Sequence, residues 1–358
     1  MIIQSVEATL VSVPMRRALG TSAMRITEAP LLLLDLQTKE GISGRAYLFC
    51  YLPAAGHALL PLVRDASAQL AGKSVSPAEV RRFFETRFRL LGARGLVSTL
   101  MAGVDIACWD ALAIQAGMPL AVFLGASLKP IPTYNSNGLG LVEPAEAAAE
   151  ALELVAEGFQ AIKMRLGRPR AQDLAAVRAV RKAIPDNVVL MADYNQALTL
   201  NSALERGRQL DGEGLYWIEE PIAHDDYAAC AELSRALETP VQIGENFAGP
   251  RAMSLSLSQR ASDYVMPDLE RIGGVTGWMA AAALADAVRI EMSSHLFPEV
   301  SAHLLAATPT AHWLEYVDWA GAILQEPLKV EHGFITPPDR PGNGLAWNPD
   351  AVKRYKLG

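Results

Sequence analysis

Three acidic residues recur at one interval in the middle of the chain: Asp193 in VVLMAD, Glu219 in LYWIE and Glu245 in PVQIGE. Each closes a short apolar run, and the spacing repeats (219 − 193 = 26 and 245 − 219 = 26). That interval is about one strand plus one helix, so the three carboxylates are expected at one level on adjacent parallel strands. Acids brought together repel one another and resist ionisation unless a cation joins them. An all-oxygen set suits a hard divalent ion, and Mg²⁺, one per subunit, is the expected cofactor. Any one of the three alone reads as a solvated acid at a loop start; the repeated interval separates a metal site from that reading.

Cations and a candidate base belong to the same series. Lys163 and Arg165 of AIKMRLG are two positions apart, so on a strand they face the same way. Inside a barrel they need counter-charges or a charged substrate. Structural ion pairs are the competing reading. Asp268 in YVMPD and His295 in MSSHLF end consecutive runs. A carboxylate beside an imidazole fixes its tautomer and stabilises its charged form, which makes a general base. A lone histidine is more often structural, and His303 and His312 are read that way. Glu315 ends WLE; in an apolar pocket it would stay protonated and donate to a substrate oxygen. Asn195, two positions after Asp193, shares its face and can bond a metal ligand or substrate. The set describes removal of a proton next to a carboxylate, with metal, lysine and protonated acid stabilising the enediolate.

An alternation of short strands and amphipathic helices must position these residues. From about Ile131 eight strand candidates follow one another: IPTYNSN, AIKMRLG, VVLMADYN, LYWIEEP, PVQIGEN, DYVMPDL, IEMSSHLF and WLEYVDW. Helical stretches such as AEAAAEALELVAEG and GWMAAAALADAV separate them. Right-handed βαβ units in that number close into a barrel. An open doubly wound sheet is the alternative, but no glycine fingerprint follows a first strand. Before the barrel, VEATLVSVPM and APLLLLDLQTKEGISGRAYLF read as antiparallel strands. Helices follow from about Ala55 to Leu70 and after Ser76-Pro77-Ala78-Glu79, which makes an α+β module. The expected organisation is a capping module at 1–125, a barrel at 126–325 and a turn-rich tail at 326–358 packed on the cap.

Half the chain is hydrophobic (51% of 358 residues), enough for a sizeable core. The net charge of −7, with signs interspersed, argues against nucleic acid or an anionic membrane as partner. Cys50, Cys108 and Cys230 lie far apart without metal-type spacing, which suits a reducing cytoplasm. The opening MIIQSVEATLVSVPMRRALG reads as strand and turn rather than signal peptide. The apolar stretch LVSTLMAGVDIACWDALAIQAG is broken by Asp105 and Asp110 and is not read as a membrane span. A soluble cytoplasmic enzyme acting on a small carboxylate is expected.

ADYNQ, WIEEP, QIGEN, MPD, IGGVTGW, MSSHLF and above all SAHLLAATPTAHWLE resemble the mandelate racemase subgroup of the enolase superfamily. The likeness runs over essentially the whole chain. It implies an α/β fold, a modified TIM barrel of (β/α)₇β type, with an N-terminal α+β capping domain completed by the C-terminal tail. It also implies a symmetric homo-oligomer such as an octamer. By resemblance Asp193, Glu219 and Glu245 match the metal ligands, and His295 with Asp268 the base for one substrate face. Glu315 matches the electrophilic acid, and Lys163 the first lysine of a K-x-K motif that neutralises the substrate carboxylate. Ser136 falls where a serine contacts that carboxylate. Phe49, Tyr51, Ala23 and Ile26 fall near an apolar substrate pocket, although the same loop carries Arg25 and Glu28.

One position departs from the pattern. The second lysine, base for the opposite face, is here Arg165. A guanidinium is a poor base and a reluctant acid, so two-base racemisation should be slowed. Racemisation of a 2-hydroxy acid of the mandelate type leads the readings. The alternative is dehydration of a sugar acid, with His295 abstracting the α-proton or protonating the departing hydroxyl while Arg165 anchors substrate. A non-catalytic carboxylate binder is a third reading, opposed by the retention of both His295 and Asp268. Cycloisomerase and dipeptide-epimerase branches place a lysine where this chain has His295 and rank lower.

Overall fold

The computed structural model describes residues 1–357. The chain opens with a three-stranded antiparallel sheet of β1 (Ile3–Gly20), β2 (Arg25–Thr38) and β3 (Ser43–Phe49). Leu31, Leu32, Leu33 and Leu34 of β2 are all buried, as in a strand covered on both faces. Helices α1 (Pro53–Leu70), α2 (Pro77–Arg87) and α3 (Leu96–Gln115) follow. Ser76 and Pro77 start α2 as expected, and α1 begins at Pro53, where a proline at the first turn presets the helix. Sheet and α3 approach so closely that a Cβ on Gly44 would lie 2.0 Å from the Ala107 carbonyl oxygen.

By length and composition alone α3 is apolar enough to cross a membrane, but 67% of that window is buried inside the protein. Its two acids explain why the run is interrupted. Asp105 accepts from the Thr276 amide at 2.9 Å and hydroxyl at 2.5 Å, tying the cap to a barrel helix. Asp110 accepts from the amides of Arg45 at 2.7 Å and Asn343 at 2.6 Å, tying cap sheet to tail. Burial pushes these carboxyls up to about 6 and about 7.

After the short α4 (Leu120–Phe123), seven named strands build the barrel: β4 (Ile131–Asn135), β5 (Ala161–Arg165), β6 (Val189–Asp193), β7 (Leu215–Glu219), β8 (Val241–Ile243), β9 (Tyr264–Val265) and β10 (Leu314–Tyr316). Their order is β10-β4-β5-β6-β7-β8-β9, and every neighbouring pair is parallel. Parallel bridges Val265↔Met292, Asp268↔His295 and Met292↔Ala311 fill the gap between β9 and β10, so IEMSSHLF supplies the remaining stave of the ring. Helices α5 (Pro144–Ala156), α6 (Arg170–Ala183), α7 (Leu200–Leu210), α8 (Tyr227–Ala236), α9 (Pro250–Gln259), α10 (Gly274–Val288) and α11 (Pro298–Ala306) alternate with the strands, and among the described residues no barrel helix follows β10. This is the (β/α)₇β arrangement.

The barrel floor is packed by Tyr134, Ala161, Met191 and Trp217, with Tyr134 and Trp217 edge to face at 5.5 Å. Burying one such methionine contributes roughly 1.5–3 kcal/mol. The tail takes a longer route than a simple return to the cap. β11 (Phe334–Ile335) first pairs antiparallel with β4. Only then does the chain reach the cap, through Trp347 to Asp35 at 3.1 Å and, past α12 (Pro349–Tyr355), the Leu357 amide to the Leu10 carbonyl at 2.9 Å.

Candidate active site

Asp193 and Glu219 are the last residues of β6 and β7 and stand side by side in the parallel register. Glu245 arrives differently. β8 ends at Ile243, and Gly244 turns the chain at φ 136° before the glutamate. A Cβ at position 244 would lie 2.7 Å from the Phe247 ring and 3.0 Å from the Met266 amide nitrogen, so glycine is required. One oxygen from each of the three acids lies within 4.8 Å of the others, and all three are buried. Burial, helped by Asp193, Glu315 and Glu245, outweighs Lys163 and pushes Glu219 up to about 8. A closed pocket with this surplus of negative oxygen ligands fits Mg²⁺. Among the described residues it is the one group of three or more acids, histidines or cysteines placed to hold an ion.

Lys163, fully buried on β5, is the counter-charge. Its ammonium bonds Glu219, lies 2.9 Å from Glu315 and 3.5 Å from Asp193, and sits 5.5 Å over the Tyr134 ring. Burial alone would lower its pKa; Glu219, Glu315 and Asp193 raise it instead. Arg165 points the same way two residues on. Its Nη1 and Nη2 donate to the Ser136 carbonyl at 2.9 Å and hydroxyl at 2.8 Å. Its buried Nε has no hydrogen-bond partner and lies 4.0 Å from Asp193 Oδ2. Both cations therefore meet counter-charges in the barrel mouth. Asn195, at φ 45°, bonds Asp193 through its amide at 2.7 Å and Nδ2 at 3.0 Å, while its buried Oδ1 is unpartnered.

Across the mouth from β5, Asp268 and His295 form the expected pair, with Nδ1 2.7 Å from Asp268 Oδ2. The other nitrogen, Nε2, lies 3.3 Å from Glu245 Oε2 and 3.9 Å from Glu315 Oε2, so it faces the metal cluster. Burial would lower the imidazole's pKa, but Glu245, Glu315 and Asp268 together push it up to about 9. Glu315 was expected to stay protonated if its pocket were apolar. Its pocket is not apolar: it accepts from the Leu296 amide at 2.8 Å and faces Lys163. Burial would raise its pKa, yet Lys163 and His295 hold it below the ordinary carboxylate range. Leu296 and Phe297, at φ 51° and 50°, make the tight turn that aims the Leu296 amide at it.

Phe49 and Tyr51 come to the mouth together, with ring centroids 4.4 Å apart, and Trp319 lies 4.7 Å from Phe49. Ala23 is exposed, and Ile26 is buried in the same apolar core as Phe49. Their loop reaches the barrel through Ser22, whose hydroxyl donates to the Tyr194 carbonyl at 3.2 Å. Several buried polar residues of the site were not singled out from sequence. Glu220, at φ 34°, accepts from Asn246 Nδ2 at 2.8 Å, and burial with Glu245 and Asp193 raises its pKa far above the usual range. Its signal was the second acid of WIEEP. Glu270 and Arg271 come two and three positions after Asp268, and nothing in their spacing sets them apart.

The N-terminal part matches the mandelate racemase / muconate lactonizing enzyme N-terminal domain over residues 5–125, and the barrel part matches the enolase C-terminal domain-like family over residues 146–351. The chain belongs to the enolase superfamily. Within that superfamily it is similar to a magnesium-bound enolase structure from alpha proteobacterium BAL199, with 45% identity, 99% coverage of both chains and a TM-score of 0.97. A Bradyrhizobium enolase complexed with magnesium and mandelic acid is 41% identical, covering 100% of this chain and 99% of that one at a TM-score of 0.95. The L-talarate/galactarate dehydratase of Salmonella typhimurium is 30% identical over 93% of this chain and 84% of its own length. As an enolase-superfamily enzyme the chain is Mg²⁺-dependent, and its buried acidic triad fits the metal.

Proposed function

We propose that the chain removes the α-proton of a small 2-hydroxycarboxylate with His295 as base, and that racemisation of an acid with an apolar side chain is the net reaction. The observation that carries this reading is the His295–Asp268 pair, whose free nitrogen faces the acidic cluster at 3.3 Å. Held by Asp193, Glu219 and Glu245, Mg²⁺ would supply positive charge opposite the charge that develops on the substrate carboxylate. In its neutral form His295 takes the α-proton on Nε2, and the C–H electron pair moves into the carboxylate to give an enediolate. Asp268 keeps Nε2 the basic nitrogen and balances the imidazolium. Lys163 adds fixed positive charge beside the reacting carboxylate. Return of a proton from the opposite face, where Arg165 stands, inverts the centre. A guanidinium gives up a proton reluctantly, so this half-reaction is expected to be the slow one. The aromatic corner of Phe49, Tyr51 and Trp319 offers a substrate side chain few hydrogen bonds, and a relative of 41% identity holds mandelic acid.

A second reading is dehydration of a sugar acid. It is favoured by Arg165 and by the 30% identical L-talarate/galactarate dehydratase. In that case His295 would take the α-proton and pass it to the departing β-hydroxyl, which leaves as water; the C–H electron pair forms the Cα–Cβ double bond of an enol that tautomerises to the 2-keto acid. Proton NMR in deuterated buffer with Mg²⁺ separates the two. Loss of the α-proton signal of either mandelate enantiomer supports the first reading. Formation of a 2-keto-3-deoxy acid from galactarate supports the second. No exchange and no product with a library of both acid classes would sink both. By resemblance alone we also propose a symmetric homo-oligomer in the cytoplasm, its order to be read by light scattering.

A further inference from the structure

Of the three acids that fit the metal, Asp193 and Glu219 are fixed by the strand ladder, but Glu245 is not. It stands beyond Gly244 on a loop, so its aim depends on what holds that loop. Arg271 does so. Its Nη1 donates to the Glu245 carbonyl at 3.0 Å and to Asn246 Oδ1 at 2.9 Å, and lies 3.7 Å from Glu245 Oε1.

The same guanidinium also reaches the cap. Nη2 donates to the Tyr51 hydroxyl at 2.8 Å, and the group sits 5.4 Å from that ring's centroid. Tyr51 has φ 57°, a left-handed conformation that a tyrosine keeps only where its surroundings hold it. The preceding alternate positions are held by the barrel as well: the Phe49 amide donates to Glu270 Oε1 at 2.5 Å, and the Tyr47 hydroxyl to Glu299 at 2.5 Å. Two of these three anchors lie in the turn after Asp268. There the Glu270 and Arg271 amides donate to Asp268 Oδ1 at 2.8 and 2.9 Å. One turn therefore holds the dyad's carboxylate by its main chain and the end of β3 by its side chains.

We propose that Arg271 is a positioning residue that couples the capping domain to the metal site, aiming Glu245 from behind while Tyr51 fixes the guanidinium's own orientation. Partners of this kind, one shell out from a ligand, tune metal affinity without touching the ion. The inference is independent of which acid is the substrate.

The test is Mg²⁺ affinity by titration calorimetry on the full chain without substrate, with folding checked by circular dichroism. Arg271→Met is expected to weaken binding about 10–100-fold. Tyr51→Phe removes one oxygen and leaves Glu245 untouched. It is expected to weaken binding about fivefold, through loss of one hydrogen bond to a charged group. The double variant should bind within about twofold of Arg271→Met alone, because Tyr51 acts through the arginine. Arg271→Lys, which cannot fork between both partners, should fall between wild type and Arg271→Met. Unchanged Mg²⁺ affinity in Tyr51→Phe, or simple multiplication of the two single effects, overturns the proposal. If Arg271→Met does not fold, Tyr51→Phe decides the matter.

Discussion

His295 Nδ1 lies 2.7 Å from Asp268 Oδ2, and the two residues are also paired as a parallel bridge between neighbouring staves of the barrel. Backbone pairing sets the distance between the side chains before any substrate arrives, and Asp268's second oxygen is occupied by two amides. The pair is therefore pre-organised, and the nitrogen left over faces the acid cluster.

Replacing either member should separate orientation from basicity. His295→Asn is expected to abolish α-proton exchange on the face it serves, while Mg²⁺ binding persists. Asp268→Asn should slow exchange by about 10²–10⁴-fold, the usual range for a mispositioned general base. Exchange is read by proton NMR in deuterated water. Wild-type exchange in His295→Asn would place the base elsewhere.

Glu219→Gln should remove Mg²⁺ binding measured by calorimetry yet leave the fold intact, because the site carries surplus negative charge without the ion. Gly244→Ala should do nearly the same from a residue that is no ligand. Its methyl would push on Phe247 at 2.7 Å and carry Glu245 out of place. Native Mg²⁺ affinity in Gly244→Ala would contradict the role given to this turn.

Asp105 makes a pH prediction for the junction of cap and barrel. Its folded pKa is raised from 3.8 to about 6, so the folded state binds the proton more tightly than the unfolded chain. The stabilisation from this group is complete below about pH 4 and is lost as pH rises through about 6, with a span of about 3 kcal/mol. Asp105→Asn keeps an acceptor for the Thr276 amide and a donor for its hydroxyl but does not titrate. Denaturant melts across this range should show a flatter pH dependence in the variant. An unchanged slope would assign the dependence to other acids.

Arg165→Lys is expected to raise exchange on the face opposite His295 and, with mandelate, to raise racemisation. An ammonium beside Lys163 yields its proton more readily than a guanidinium. Chiral chromatography of each enantiomer's reaction measures it. Fast symmetric racemisation by the native chain that falls in the variant would make Arg165 itself the second base.

Local periodicity was enough to find much of this site. The repeated interval of the acids, the two-residue step from Lys163 to Arg165 and the strand-ending positions of Asp268, His295 and Glu315 are properties of short segments in a βα rhythm. That rhythm also predicted the eight staves, including IEMSSHLF, which is held here only by isolated bridges. Tertiary structure decided what depends on which segments meet. Tyr51 and Arg271 are 220 positions apart, so no spacing rule could join them. Glu315 was expected to stay protonated in an apolar pocket; in its actual pocket burial raises its pKa while Lys163 and His295, which come from distant segments, lower it. Ile26 and Phe49 look alike in sequence as pocket residues; both are buried in one apolar core, and only the fold shows that Phe49 meets Tyr51 and Trp319 there. A strand's period tells which way a side chain points, but its neighbours, its burial and its charge are set by elements distant in the chain.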